Sequence, residues 1–210
     1  MTLQLREKPK LSQSLLPLNE HREERMLWLE GISWERFKNL NASFEGMPSI
    51  RLSYTTGVLE IMTISPKHEY IKGTLRALLE AYMREKNIRY YIRGSFTLMK
   101  EGESSGEPDE SYCIGEDKEV PDLVLEVIIT SGSFNKLDVY KPKGVPEVWF
   151  WKSNQLRVFH LKGADYQEVT RREFFPDLDM DTLVHYTQYQ DQYIYEKTYW
   201  VCGGLSSRPN

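Results

Sequence analysis

The sequence predicts an α/β domain built on a central mixed β-sheet flanked by helices. The β-rich and helical segments follow the order β-β-α-β-β-β-α-β-β, in which tight turns alternate with a longer crossover, as in a sheet with antiparallel and parallel pairs. Ser65 to Lys86 carries the signals of an amphipathic helix. The run Leu123 to Ile129 is apolar except for Glu126, as expected of a buried strand that retains one acid for a specific reason.

Taken in order, the residues before Met26 read as a loosely held arm, which gives an arm over 1–25, a domain over 26–195 and a polar tail over 196–210. Met26 to Leu29 reads as a strand, and Ser33 caps a short helix that begins at Trp34. Arg51–Tyr54 and Val58–Ile64 flank Thr55-Thr56-Gly57, a hairpin spacing. In the main helix Ser65 is the cap, Pro66 suits the first turn, and Ile71, Leu75, Leu78 and Tyr82 recur at helical spacing on one face. A strand is expected from Arg89 to Met99, followed by a mobile polar loop over Glu101–Gly106. Strands at Asp109–Ile114 and Leu123–Ile129 follow, then a helix over Ser133–Tyr140 stopped by Pro142 and Gly144. Val148–Lys152 and Leu156–Leu161 make a hairpin around Ser153-Asn154, and the remainder reads as a terminal helix with a polar tail.

With 210 residues, 40% hydrophobic and 28% charged, the chain is long enough for one substantial globular domain without disulfides. Cys113 and Cys202 stand far apart and outside any CxxC pattern, which fits a reducing, cytoplasmic setting. The apolar stretch Leu15-Leu16-Pro17-Leu18 is too short for a signal peptide or membrane span. A net charge of -4 and a pI near 5.7 argue against tight non-specific DNA binding. They leave a nuclease open, since acidic metal ligands lower net charge while phosphate-facing cations are local.

Asp109 and Glu126 fall on neighbouring expected strands, so their carboxylates can converge at one sheet edge. Magnesium takes one or two such hard oxygen ligands and fills its remaining positions with carbonyl, water and phosphate oxygens. Lys136, just beyond, can reach the same place to orient a water or offset charge on a phosphate. Spacing alone also allows, and favours, a plainer arrangement, with Asp109 as a turn residue after Pro108, Glu126 paired with a lysine, and Lys136 solvated on its helix. Asp122 shares a strand face with Glu126 and is either a second ligand, an ion-pair partner or a strand-start residue. His68 at the helix start either meets phosphate or protons, or is surface and capping material. Glu60 and Glu69 either add a carboxylate or are solvated or strand-paired charges. His21, His160 and His185 show no metal-ligand spacing, which disfavours zinc chemistry. GxGxxG and GxxxxGK[ST] are absent from the sequence.

The segment Pro121-Asp122-Leu123-Val124-Leu125-Glu126-Val127, then Lys136-x-x-x-Tyr140, then Gly144-Val145-Pro146-Glu147-Val148-Trp149-Phe150, resembles the Uma-type endonucleases. These are a bacterial group within the PD-(D/E)xK, or restriction-endonuclease-like, superfamily. Gly57-x-Leu59-Glu60-Ile61-Met62 and Ser65-Pro66-x-His68 match as well, so the resemblance runs from about residue 30 to about 185. It implies a restriction-endonuclease-like core, with Asp109 as the first acid, Glu126 as the second and Lys136 as a displaced lysine, since Ile128 stands where the superfamily has its lysine. Thr130-Ser131-Gly132-Ser133 replaces the usual Ser-Pro after the second acid. The implied activity is Mg²⁺- or Mn²⁺-dependent DNA hydrolysis, and a homodimer suits two-strand cutting. The competing reading is a catalytically silent nuclease-fold module that works through nucleic-acid or protein contacts.

Overall fold

The expected single sheet divides into two in the computed structural model, which describes residues 23–129 and 135–188. The chain opens with β1 (Met26–Leu29) and α1 (Trp34–Ser43), whose cap Ser33 accepts the Arg36 amide. β2 (Ile50–Thr55) and β3 (Val58–Thr63) form the expected hairpin around Thr56 and Gly57, both at positive φ, which matches the twist of the paired strands. In α2 (Pro66–Glu85) Ser65 accepts the His68 amide at 3.1 Å, and Ile71, Leu75, Leu78 and Tyr82 are buried as their spacing requires.

The expected strand over Arg89–Met99 is instead two short ones in different sheets, β4 (Tyr90–Ile92) and β5 (Leu98–Lys100). The break falls at Gly94, at φ 58°, where the Arg93 and Gly94 amides both bond to the Ser111 carbonyl. Nor is the following loop loose throughout: its second half is β6 (Ser104–Gly106), fully buried and paired with β2 and β5. It is held by backbone ladders and by Ser104 Oγ, which donates to the Val139 carbonyl at 2.9 Å, a fixation that needs no apolar side chain.

β7 (Glu110–Ile114) and β8 (Leu123–Ile128) follow, then α3 (Leu137–Tyr140), shorter than expected, which passes into a 3-10 turn closed by Gly144 in the left-handed region. The first residues expected in that helix, Ser133 and Phe134, lie outside the described residues, as does Thr130-Ser131-Gly132-Ser133 as a whole. β9 (Glu147–Lys152) and β10 (Gln155–Lys162) turn through Ser153 and Asn154, both at positive φ. β11 (Asp165–Val169), a mostly exposed outer strand, then precedes α4 (Met180–Tyr186), where the sequence had suggested only a terminal helix. The tail and the domain end at 195 lie outside the described residues.

The smaller sheet, β1-β3-β2-β6-β5, is antiparallel. The larger, β11-β10-β9-β8-β7-β4, is mixed, with β8 and β9 parallel and joined by the α3 crossover. α2 and α4 cover one face of it, packing Leu75, Leu79 and Tyr82 against Leu123, Leu125, Val127 and Trp149. Alternation along β8 sends Val124, Glu126 and Ile128 to the other face, toward Val139 and Tyr140 of α3 and Leu98 of β5. α1 closes the smaller sheet through Phe37, Leu52, Tyr54 and Leu59. The result is the mixed α/β arrangement expected, two sheets flanked by helices. Among the described residues no helix is long and apolar enough to cross a membrane.

Candidate active site

Asp109 lies one residue before β7, and the antiparallel register Glu110↔Leu125 carries it alongside Glu126 of β8. Its Oδ2 accepts the Val127 amide at 2.7 Å. Glu126, fully buried, faces α3, where Lys136 and Tyr140 stand one helical turn apart. Lys136 Nζ is 2.9 Å from Glu126 Oε2 and 3.8 Å from Glu60 Oε1, and Tyr140 Oη donates to Glu126 Oε1. The three residues singled out by sequence therefore meet, each brought from a different element.

Around them is a second tier. His68, at the start of α2, is fully buried, with Nδ1 2.8 Å from Glu24 Oε2 and Nε2 2.8 Å from Asp109 Oδ1. A ring between two carboxylates has an acceptor for each N–H, so the doubly protonated form fits. Glu60 is buried in β3 and accepts the indole N–H of Trp28 at 3.3 Å.

Four residues that the sequence left with alternatives take definite places. Lys136 is not a loosely attached helix residue but is 7% exposed inside an ion pair. His68 is not surface or capping material, and Glu60 is not solvated. Asp122 is drawn away from the site: its carboxylate accepts the Ile114 amide at 2.7 Å and pairs with Lys118 at 2.9 Å, the ion-pair alternative. Glu69 pairs with Lys72 at the surface. The sequence missed Glu24, which belongs to the supposed arm yet is buried. Nothing in the charged run from His21 to Arg25 marks it. Tyr140 stood in the motif without a role, although its spacing from Lys136 was a usable signal. His160 belongs elsewhere, paired with buried Glu147.

Electrostatically, burial pushes Glu126 up to about 7, opposed by Lys136 and reinforced by the charge of Asp109. Burial alone drives His68 down, but bonds and charge from Asp109 and Glu24 outweigh it and raise it to about 9. Asp109 is lowered despite burial, chiefly through His68. Burial opposes the charge of Lys136, yet Glu126, Glu60 and Asp109 raise its pKa further. Burial raises Glu60, partly offset by Lys136, and raises Tyr140 together with Glu126.

Four buried carboxylates, Glu24, Glu60, Asp109 and Glu126, thus face the two cations Lys136 and His68. Fully ionised, these six groups carry a net charge of -2, and the carboxylates of Asp109 and Glu126 are hard oxygen donors of the kind that Mg²⁺ or Mn²⁺ takes. Each oxygen of Asp109 and Glu126 already accepts one protein hydrogen bond, which leaves each a free lone pair. Among the described residues no group of three His, Cys, Asp or Glu is set to hold a metal, so a cation held by Asp109 and Glu126 would have two carboxylates and would complete its shell from other oxygens.

Comparison with curated proteins finds no match. Comparison with protein families matches residues 34–187 to Uma2, described as "Putative restriction endonuclease". That match takes in α1 through α4, and with them Glu60, His68, Asp109, Glu126 and Lys136; the chain belongs to the Uma2 family.

Proposed function

We propose that this chain is a Mg²⁺- or Mn²⁺-dependent DNA endonuclease hydrolysing phosphodiester bonds. In this reading Asp109 and Glu126 hold the cation and Lys136 positions the attacking water. The observation that carries it is the convergence of Asp109, Glu126 and Lys136 in one buried cluster. A bound divalent cation supplies Lewis acidity toward a phosphate oxygen and lowers the pKa of a bound water. Lys136, a cation throughout the neutral range, donates from Nζ to orient that water and offsets negative charge developing on the phosphate. Glu126 would release its proton to take the cation, while Tyr140 fixes the orientation of its carboxylate. His68 and Glu24 clamp Asp109 from behind.

The rest of the reading follows from this. The nuclease unit spans about 26–195 with Glu24 of the arm docked into its site. The enzyme works in the cytoplasm, and a homodimer supplies two symmetry-related sites for two strands. A second reading, a catalytically silent binding module, is favoured by one observation: Lys136 and Tyr140 already occupy Glu126. Calorimetric titration of Mg²⁺ into the native chain and Glu126→Ala separates the two. Binding that Glu126→Ala abolishes supports the enzyme, and no binding to the native chain supports the silent module.

A further inference from the structure

Six large apolar side chains are exposed among the described residues, and four of them, Tyr91, Ile92, Phe96 and Met99, fall within Arg89–Lys100. The same stretch carries three cations, Arg89, Arg93 and Lys100, and no acid, in a chain of net charge -4. Neither Arg89 nor Lys100 has an ion-pair partner among the described residues. Its place in the fold is unusual as well. β4 is the outermost strand of the larger sheet and β5 the outermost of the smaller, so one short segment edges both.

Between those strands the chain runs beside β7 toward the candidate site. The Arg93 amide bonds to the Ser111 carbonyl at 2.9 Å, Ser111 Oγ donates to the Gly94 carbonyl at 2.8 Å, and Ser95 Oγ donates to the Asp109 carbonyl at 3.2 Å. Phe96 is fixed in advance, because the Arg93 guanidinium lies 5.1 Å over its ring and is itself held by Asp117 at 3.2 Å. Rings alternating with cations suit a nucleic-acid strand, whose bases stack on aromatic faces while phosphates meet Arg and Lys. A second copy of the chain fits less well, since a symmetric contact here sets the cations of one copy against those of the other.

We propose that Arg89–Lys100 is a nucleic-acid-binding edge on which Tyr91 and Phe96 stack unpaired bases and Arg89 and Lys100 hold the backbone, leading the strand to Asp109. The preferred substrate is then single-stranded or locally unpaired DNA. This rests on the nuclease reading and narrows its substrate.

The test is fluorescence anisotropy of a labelled mixed-sequence single strand with the full chain in EDTA across a salt series, with unlabelled single strand, bubble duplex and fully paired duplex as competitors. Tyr91→Ala/Phe96→Ala should weaken binding at least about tenfold with the salt slope unchanged. Arg89→Ala/Lys100→Ala should flatten the slope by about 1 to 1.5. The single strand and bubble should compete about tenfold better than duplex. All four positions are surface-facing or unpaired, and matched thermal midpoints confirm folding. Native-like binding by both variants, a preference for duplex, or no binding by the native chain overturns the proposal. So does a loss of dimer mass in sedimentation with DNA affinity unchanged, which makes the edge a contact between copies. Cleavage in Mg²⁺, read in parallel, keeps the two ideas apart: cutting with unaffected variants sinks the edge alone, and edge-dependent binding without cutting sinks the nuclease alone.

Discussion

Lys136 Nζ lies 2.9 Å from Glu126 Oε2, an ion pair between residues ten positions apart with neither side chain more than 7% exposed. A lysine so placed is part of the fold as well as of any chemistry. Its removal leaves Glu126 and Glu60 buried without their cation. Lys136→Met should therefore destabilise the protein by about 3–5 kcal/mol at neutral pH. Because protonation neutralises Glu126, the loss should be smaller near pH 5. Urea unfolding at both pH values checks this, and a variant as stable as the native chain at pH 7 would contradict it.

The pH dependence of the metal-free protein follows from the same cluster. His68 is raised from 6.5 to about 9, so its contribution to stability is complete below pH 6.5 and is lost as pH rises through 9. Glu126 is raised from 4.5 to about 7, so the folded state binds a proton that the unfolded chain releases, and stability again falls as pH rises between those values. Asp109 is lowered from 3.8 and acts the other way, its contribution being lost in strong acid. The thermal midpoint in EDTA should fall from pH 5 to pH 9, and His68→Gln should flatten the upper part of that fall. A midpoint that rises over this range would refute the assignment.

Cation binding should run opposite to that trend. Since Glu126 must be ionised to serve as a ligand, Mg²⁺ and Mn²⁺ should bind weakly and more tightly as pH rises through about 7, and Asp109→Asn should abolish the heat. Ca²⁺ should bind without supporting turnover. Tight zinc binding with no response to magnesium would mean that the ligands are wrongly identified.

Gly106 connects the fold to the site. A Cβ placed there would lie 2.6 Å from Val139 Cγ1, on the helix that carries Tyr140 and has Lys136 at its N-cap. Gly106→Ala should cost about 1–3 kcal/mol through overpacking. It should also slow any cleavage by displacing α3. Adding Val139→Ala makes room for the new methyl and should recover most of both losses in melting and activity assays; a double variant no better than the single one would rule out this contact.

Much of this was legible in the sequence where the cause is local. α2 announced itself through Ser65, Pro66 and a regular apolar face, and β8 through an apolar run interrupted only by Glu126. The separate smaller sheet was not legible, because β6 consists of Ser104, Ser105 and Gly106, which are buried by backbone pairing and close approach. The second tier of the site was hidden for another reason. His68 meets partners 44 residues before it and 41 after it, and no local pattern reports such distances. Glu126 was singled out because a charge inside an apolar strand needs an explanation, and Asp109 and Lys136 through their spacing from it and the family resemblance, whereas Glu24 sits among charges in the stretch read as an arm.

The most direct measurement is cleavage of single-stranded and supercoiled DNA by the purified native chain and by Glu126→Gln, with Mg²⁺, Mn²⁺ or EDTA. Glu126→Gln keeps the shape of the buried side chain and removes its charge. The account predicts cutting by the native chain that depends on Mg²⁺ or Mn²⁺ and falls at least about a hundredfold in the variant. Cutting that survives in Glu126→Gln, or a native chain that cuts with neither cation, would contradict it.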